Sequence, residues 1–319
     1  MADEMLAYAL AAVDTEPGFL EVPTPQVDKG EVLVRVTAAS VNPHDGQVAT
    51  GEAARYMQYR YPVVLGSDFA GVVEAVGREV DDLAVGDRVF GLVRERIAAR
   101  GSLAPLLATP REHLAPTPTT ITDQQAGVLG LAAITALHCV DATGALTRGD
   151  LVLVNGATGG VGTYVVQLLA AQGVAVIATA RPSAADYIRE AGATHAVDWT
   201  AGDLKGAVSA LAPHGVAAII DVITSTPEVL TALSHRLLGP GGRVVSTRHA
   251  VDQARVKAGT GVNVLSEASA DVLDRVAQLA DAHVLRAPIT ASVPFARVAE
   301  AFQFLDRGVI GKVAVQMPG

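Results

Sequence analysis

A chain of 319 residues, half of them hydrophobic, is long enough for two domains that each bury a core. Its formal charge of -9 includes no block of like charges, which argues against a surface for nucleic acid or anionic membrane; its single cysteine, Cys139, excludes an internal disulfide framework and a cysteine-rich zinc site. The opening Met-Ala-Asp-Glu-Met-Leu lacks the basic and apolar regions of a signal peptide, and no stretch approaches the roughly 20 apolar residues of a membrane span, so a cytoplasmic protein is expected.

The first third reads as short strands cut by turns. Glu31–Val36 alternates charged and apolar positions before turning apolar, and Val72–Gly77 and Asp87–Gly91 are strands closed by glycine. Such spacing suggests a small barrel or sandwich. From about Asp123 the period changes. Leu151–Val154 is an apolar run, as for a strand covered on both faces, followed by a glycine turn and a helix over Thr163–Gln172 that Gly173 ends. Strands over Val174–Thr179, Thr194–Val197 and Val216–Val222 alternate with helices, one over Ser183–Ala191, one capped by Asp203 and one opened by Thr226-Pro227. The turn Gly239–Gly242 leads into a strand at Arg243–Ser246, and Val262–Leu265 is a sixth strand. This is a doubly wound α/β fold with a parallel sheet and right-handed crossovers. The tail reads as a helix over Ser269–Ala282, a second over Phe295–Arg307, and a closing strand at Lys312–Gln316. It is too short for a domain of its own, so it is expected to complete the first one.

The most informative segment is Leu151-Val152-Leu153-Val154-Asn155-Gly156-Ala157-Thr158-Gly159-Gly160-Val161-Gly162, a buried strand, a tight turn and a helix start. Gly159 admits a pyrophosphate against the backbone, Gly162 lets the helix lie close on the strand, and the helix N-terminus offers free N–H groups to phosphates. An NAD enzyme usually ends its second strand on an acid that binds the ribose 2′-hydroxyl. Here that place reads Ala180-Arg181-Pro182-Ser183, and Arg181 suits a 2′-phosphate, with Ser183 as a second donor. The expected cofactor is therefore NADPH.

With these residues the chain resembles the medium-chain dehydrogenase/reductase superfamily, in its zinc-independent quinone oxidoreductase (zeta-crystallin-like) branch. Ser40-Val41-Asn42-Pro43-His44-Asp45 is similar to that branch's S-x-N-P-x-D turn, Gly66–Val73 to its G-x-D-x-A-G-x-V, and Gly86-Asp87-Arg88-Val89 to its G-D-R-V. Ala157–Gly162 is similar to its A-x-G-G-V-G, and Gly311-Lys312-Val313 to its closing strand. The resemblance implies a GroES-like β-barrel catalytic domain over 1–122, completed by 267–319. A Rossmann domain over 123–266 would bind NADPH, with the active site in the cleft between the two. It also implies pairing as a homodimer through the sheet edge near Val262–Leu265.

The same resemblance implies roles for individual residues. Zinc relatives carry a cysteine where Asn42 stands and a histidine where Ser67 stands, so no metal is expected and zinc alcohol dehydrogenase chemistry ranks last. Asn42 becomes the donor to the acceptor's oxygen, and Thr135 lies beside the nicotinamide. Cofactor contacts are implied for Ala157, Thr158, Gly159, Gly160, Val161 and Gly162, for Arg181, Ser183 and Trp199, and for Val222, Thr224, Val262 and Asn263. His44, Asp45, Tyr56 and Tyr59 are candidates for the substrate pocket, with Asp45 also suited to bracing its turn. The family's tyrosine proton donor is missing after the turn, where Gly46–Gly51 contains none. Arg94–Pro110 departs from the usual compact turn: its Arg94, Arg96 and Arg100 suit a mobile lid or a patch for an acidic acceptor, and a solvated loop is the plainer reading. The expected reaction is hydride transfer from NADPH to a quinone or activated alkene. The alternatives are a biosynthetic enoyl or enone reductase and a non-catalytic NADPH-binding sensor or structural protein.

Overall fold

The computed structural model describes residues 4–318; Met1–Asp3 and Gly319, placed in the first domain by the sequence, lie outside them. The described chain divides into two compact units. One comprises residues up to Ile134 with Glu267–His283 and Ala287 onward, and the other Thr135–Ser266 with Val284–Arg286. The division thus falls at Ile134 rather than at residue 122. The physical reason is a set of polar ties: Asp123 accepts hydrogen bonds from Thr37 at 2.7 Å and from Arg88 at 2.5 Å, and Leu131 N–H donates to Asp68 at 2.6 Å.

The first unit is built on the strand Glu31–Val41, whose residues 32, 34 and 36 are fully buried. Asp68–Val76 pairs antiparallel on one side of it, and Lys312–Gln316 on the other, with Val313 opposite Val41. Arg88–Leu92 and Leu114–Pro116 extend the sheet one way, Ile289–Pro294 the other, and Leu106–Pro110 also pairs with Glu31–Val41. The C-terminal strand therefore lies inside this sheet, between Glu31–Val41 and Ile289–Pro294.

Arg94–Pro110 is packed, not a solvated loop. Ile97-Ala98 pairs with Gln58-Tyr59, Leu103 and Ala104 are fully buried, and Leu103 exchanges backbone hydrogen bonds with Leu65 and Tyr8. Arg100 is tied to Glu31 at 2.7 Å and to Glu95 at 2.6 Å, so it is not part of an open arginine patch.

The second unit holds a six-stranded parallel sheet. Its order is His195–Asp198, Ala175–Ala180, Leu151–Asn155, Val216–Asp221, Leu238–Ser246, Gly259–Asn263. The chain starts in the middle, works outward to one edge and then to the other, so the carboxyl ends of Leu151–Asn155 and Val216–Asp221 flank the switch point where such folds take ligands. Residues 152–154 are fully buried, as their unbroken apolar run requires.

Among the boundaries that differ from expectation are three in this unit. The helix after the glycine turn spans Gly160–Ala171 and so starts three residues early, because Gly159 serves as N-cap and accepts the Thr163 N–H at 2.9 Å. Gly239–Gly242 is not a separate turn but lies inside the strand Leu238–Ser246, whose register shifts between Val216 and Ala218 of its neighbour. The last strand ends at Asn263 rather than Leu265.

Candidate functional site

In the first unit the turn after Glu31–Val41 starts the helix Pro43–Ala49, capped by Asn42. Asn42, Asp45, Ser67, Asp68 and Lys312 are all at most 5 % exposed. Asp45 accepts the Asn42 backbone N–H at 2.7 Å on one oxygen and the Ser67 hydroxyl at 2.5 Å on the other. Asp68 accepts the Ser40 hydroxyl at 2.6 Å, Asn42 Nδ2 at 2.9 Å and Lys312 Nζ at 3.0 Å on one oxygen, and Leu131 N–H on the other. Lys312 Nζ also donates to Asn42 Oδ1 at 2.5 Å. The ammonium thereby fixes which way the Asn42 amide points, with its oxygen toward the lysine and its nitrogen toward Asp68.

Burial pushes the Asp68 carboxyl up, but the Lys312 charge and the surrounding hydrogen bonds outweigh it and hold the group below the usual carboxylate range. Asp45 goes the other way. Burial raises it to about 6, against the Ser67 hydrogen bond, and the charge of Asp68 adds to the rise. Asp45 is thus a brace with both oxygens in use, and Asn42 has one amide hydrogen on Asp68 and the other on a long 3.3 Å contact to Asp45.

His44 follows in the same helical turn. Its ring stacks on Tyr56 with centroids 6.4 Å apart, and the Tyr56 hydroxyl lies 3.4 Å from Nδ1 and donates to Gln47 at 3.1 Å. Burial, and then the charge of Arg94, lowers His44 to about 4, so the ring is neutral at pH 7. Tyr56 is 62 % exposed, whereas Tyr59 donates to the Val48 carbonyl.

In the second unit the glycine turn lies at the sheet's switch point. A Cβ on Gly162 would sit on the Gly156 carbonyl oxygen, so this glycine is a packing requirement. A Cβ on Gly159 meets nothing nearer than 3.8 Å, so the space over that backbone is open, as a phosphate cradle must be. Ala157 is fully buried, while Thr158, Gly160 and Val161 are half-buried at the helix start, whose first-turn N–H groups have no partner within the helix.

Below the turn, Thr179 accepts the Gly156 N–H at 2.9 Å and Asn155 donates to Asp221 at 2.7 Å. Asp221 also accepts the N–H groups of Ile223 and Thr224 and the Thr224 hydroxyl. This network fixes the loop carrying Val222 and Thr224. Ala180 and Asp198 are register partners on adjacent strands, so the next residues, Arg181 and Trp199, emerge side by side. The Arg181 guanidinium lies 5.3 Å from the indole centroid, and both residues are exposed. Ser183 is exposed in the following turn. Val262 is half-buried on the sheet edge, and the Asn263 side chain is spent on both backbone groups of Val251. The Thr135 hydroxyl is 2.5 Å from that of Ser266, and Cys139 is buried, its thiol pushed up to about 12.

The structure therefore brings together Asn42 with Asp45, His44 with Tyr56, and Arg181 with Trp199. Sequence reading assigned no role to Lys312, Asp68, Asn155 or Asp221. The available signals were a lysine beginning an otherwise apolar strand and polar residues at the ends of buried ones.

The chain matches the family described as "Alcohol dehydrogenase GroES-like domain" over residues 28–119 and that described as "Zinc-binding dehydrogenase" over 191–315. It is 30 % identical to an NADPH-dependent alkenal/one oxidoreductase, chloroplastic, of Arabidopsis thaliana, over 91 % of this chain and 73 % of that protein. It is 29 % identical to the NAD(P)H oxidoreductase RTN4IP1, mitochondrial, of Mus musculus, over 90 % and 82 %. A segment making up 8 % of the pikromycin polyketide synthase component PikAII of Streptomyces venezuelae is 30 % identical over 97 % of this chain. A quinone oxidoreductase structure from Coxiella burnetii shares the fold with a TM-score of 0.88 at 24 % identity, covering 99 % of this chain and all of that one.

Proposed function

For a chain that belongs to the medium-chain dehydrogenase/reductase superfamily, in its zinc-independent branch, we propose a metal-free reductase that uses NADPH to reduce a quinone or an enone. The observation that carries the cofactor choice is Arg181, exposed over Trp199 where an NAD enzyme would place an acid. Arg181 pairs with the 2′-phosphate and Trp199 flanks the adenine, while Gly159 and the N–H groups of Gly160 and Val161 hold the pyrophosphate. Thr135, Val222 and Thr224 position the nicotinamide end. When bound, the cofactor supplies the hydride.

In the first unit Asn42 holds the acceptor oxygen through the Nδ2 hydrogen whose bond to Asp45 is long. Lys312 and Asp68 keep that amide in one orientation. Zinc does not suit this donor set: an amide, a hydroxyl and two carboxylates are already joined by their own hydrogen bonds, with an ammonium at the amide oxygen. A quinone needs little proton assistance, since its reduced oxygens are stabilised by aromaticity.

A second reading, an enone or enoyl reductase, gains support from the Tyr56 hydroxyl beside His44, which offers a proton donor the family's usual position lacks. The relatives named for alkenal reduction and polyketide synthesis point the same way. The test is oxidation of NADPH and NADH by the purified protein against matched quinones and α,β-unsaturated ketones. Quinone turnover with NADPH preferred supports the first reading, and turnover confined to enones supports the second. Tight NADPH binding with no turnover of either class would favour a sensor.

A further inference from the structure

The first unit contains a small cavity that the reaction outlined above does not use. Its walls include the apolar Val48, Met57 and Leu65 and the polar His44, Ser67 and Arg94. The volume is about 40 Å³, roughly three water-sized positions at about 10–15 Å³ each, too small for a quinone ring but the size of a carboxylate or sulfonate group.

The charges around it are unequal. Arg100 is matched by Glu31 and Glu95, and both oxygens of Asp45 are taken by Asn42 and Ser67. Arg94 is half-buried and has no carboxylate partner among the described residues, although its charge is felt at His44. A guanidinium removed from water without an anion is unfavourable, and an anion beside it relieves that cost. Neutral His44 adds a ring N–H to the same wall. His44 lies in the first turn of the helix that Asn42 caps, and the cavity-lining Asp45 accepts hydrogen bonds from Asn42 and Ser67, so the cavity borders the network that holds the amide assigned to the acceptor oxygen.

We propose that this cavity is an anion subsite in which Arg94, with His44, binds a carboxylate or sulfonate carried by the acceptor, so that the enzyme selects acidic quinones or enones. The selectivity rests on the reductase reading, but the anion site itself does not. Anion binding is read first, without turnover, from the His44 ring by NMR titration of the full chain with acetate as the probe. The other charged groups on the cavity, Asp45, Glu95 and Arg100, are common to all samples, as is the stacked Tyr56 ring.

Acetate at saturation raises the His44 pKa in the wild type and leaves it unmoved in Arg94→Gln. No shift in the wild type, or an equal shift in both proteins, overturns the site. Selectivity is then read as the ratio of kcat/KM for 1,4-naphthoquinone-2-sulfonate to that for 1,4-naphthoquinone, which falls about tenfold in Arg94→Gln, through KM, and recovers in part in Arg94→Lys. An unchanged ratio alongside a positive acetate titration would limit the cavity to free anions and overturn the selectivity. Absence of all turnover would reject the reductase reading, and with it the selectivity, while the titration still decides the site.

Discussion

The two polar centres are built on opposite principles. In the first unit, Lys312, Asp68, Asn42, Asp45 and Ser67 are buried and hydrogen-bonded to one another. In the second unit, Asn155, Thr179 and Asp221 are equally satisfied, yet they sit beneath a surface left open: Gly159 with space above it, and Arg181 and Trp199 exposed side by side. The first centre is closed on itself, and the second leaves a charged and an aromatic side chain exposed. Substitutions should therefore separate into effects on folding and effects on binding.

The largest expected effect is in the closed centre. Lys312→Met leaves the Asp68 carboxylate buried without its cation, and breaking such a pair costs about 3–5 kcal/mol. Chemical denaturation should show this loss, while Arg181→Gln, on the exposed rim, stays within about 0.5 kcal/mol of the wild type. Equal effects would erase the contrast.

A sharper version uses two glycines three residues apart. Gly162→Ala drives a methyl into the Gly156 carbonyl and should destabilise the second unit by about 1–3 kcal/mol. Gly159→Ala has room and an ordinary backbone geometry, with φ at -79°, so its stability should hold while NADPH affinity falls about tenfold or more. Melting curves with and without NADPH measure both. Loss of stability in Gly159→Ala would show that this glycine too is structural.

The smallest effect concerns pH. His44 is lowered from 6.5 to about 4 by folding, so its contribution to stability is present above 6.5 and is lost as the pH falls toward 4. Asp45 is raised from 3.8 to about 6, so its contribution is present below 3.8 and is lost as the pH rises through 6. Between pH 4 and 6 the two slopes oppose each other. Removing one of them in Asp45→Asn should make Tm fall more steeply on acidification from pH 6.5 to 4 than in the wild type. Parallel Tm curves would contradict the assignment.

The same contrast explains what could be read from the chain itself. The open site was legible because its signals are local: an apolar strand, a glycine turn and a helix are contiguous, and Arg181 follows the second strand directly. Trp199 was reachable for the same reason, as it closes the neighbouring strand. The closed centre joins Asn42 to Lys312 across 270 positions, and nothing in local periodicity says that a lysine in the last strand will meet a turn near the first. Resemblance supplied the sites of Asn42 and Asp45 but not their partners. It also left Arg94–Pro110 open, because pairing of that stretch with Glu31–Val41 and Gln58-Tyr59 is a tertiary outcome. The first domain limit falls later than residue 122 for a similar reason, since the ties of Asp123 to Thr37 and Arg88 are invisible in composition, whereas the limit at 266 coincides with the division of the units.

The central claim, that the open site is shaped for NADPH, has a built-in reporter. Trp199 is the only tryptophan in the chain and lies against Arg181. Its emission should be titrated with NADPH and with NADH, in the wild type and in Arg181→Gln. The account predicts that NADPH quenches at a concentration at least about tenfold lower than NADH, and that Arg181→Gln abolishes the difference. Equal affinities in the wild type, or a preference that survives the substitution, would contradict it.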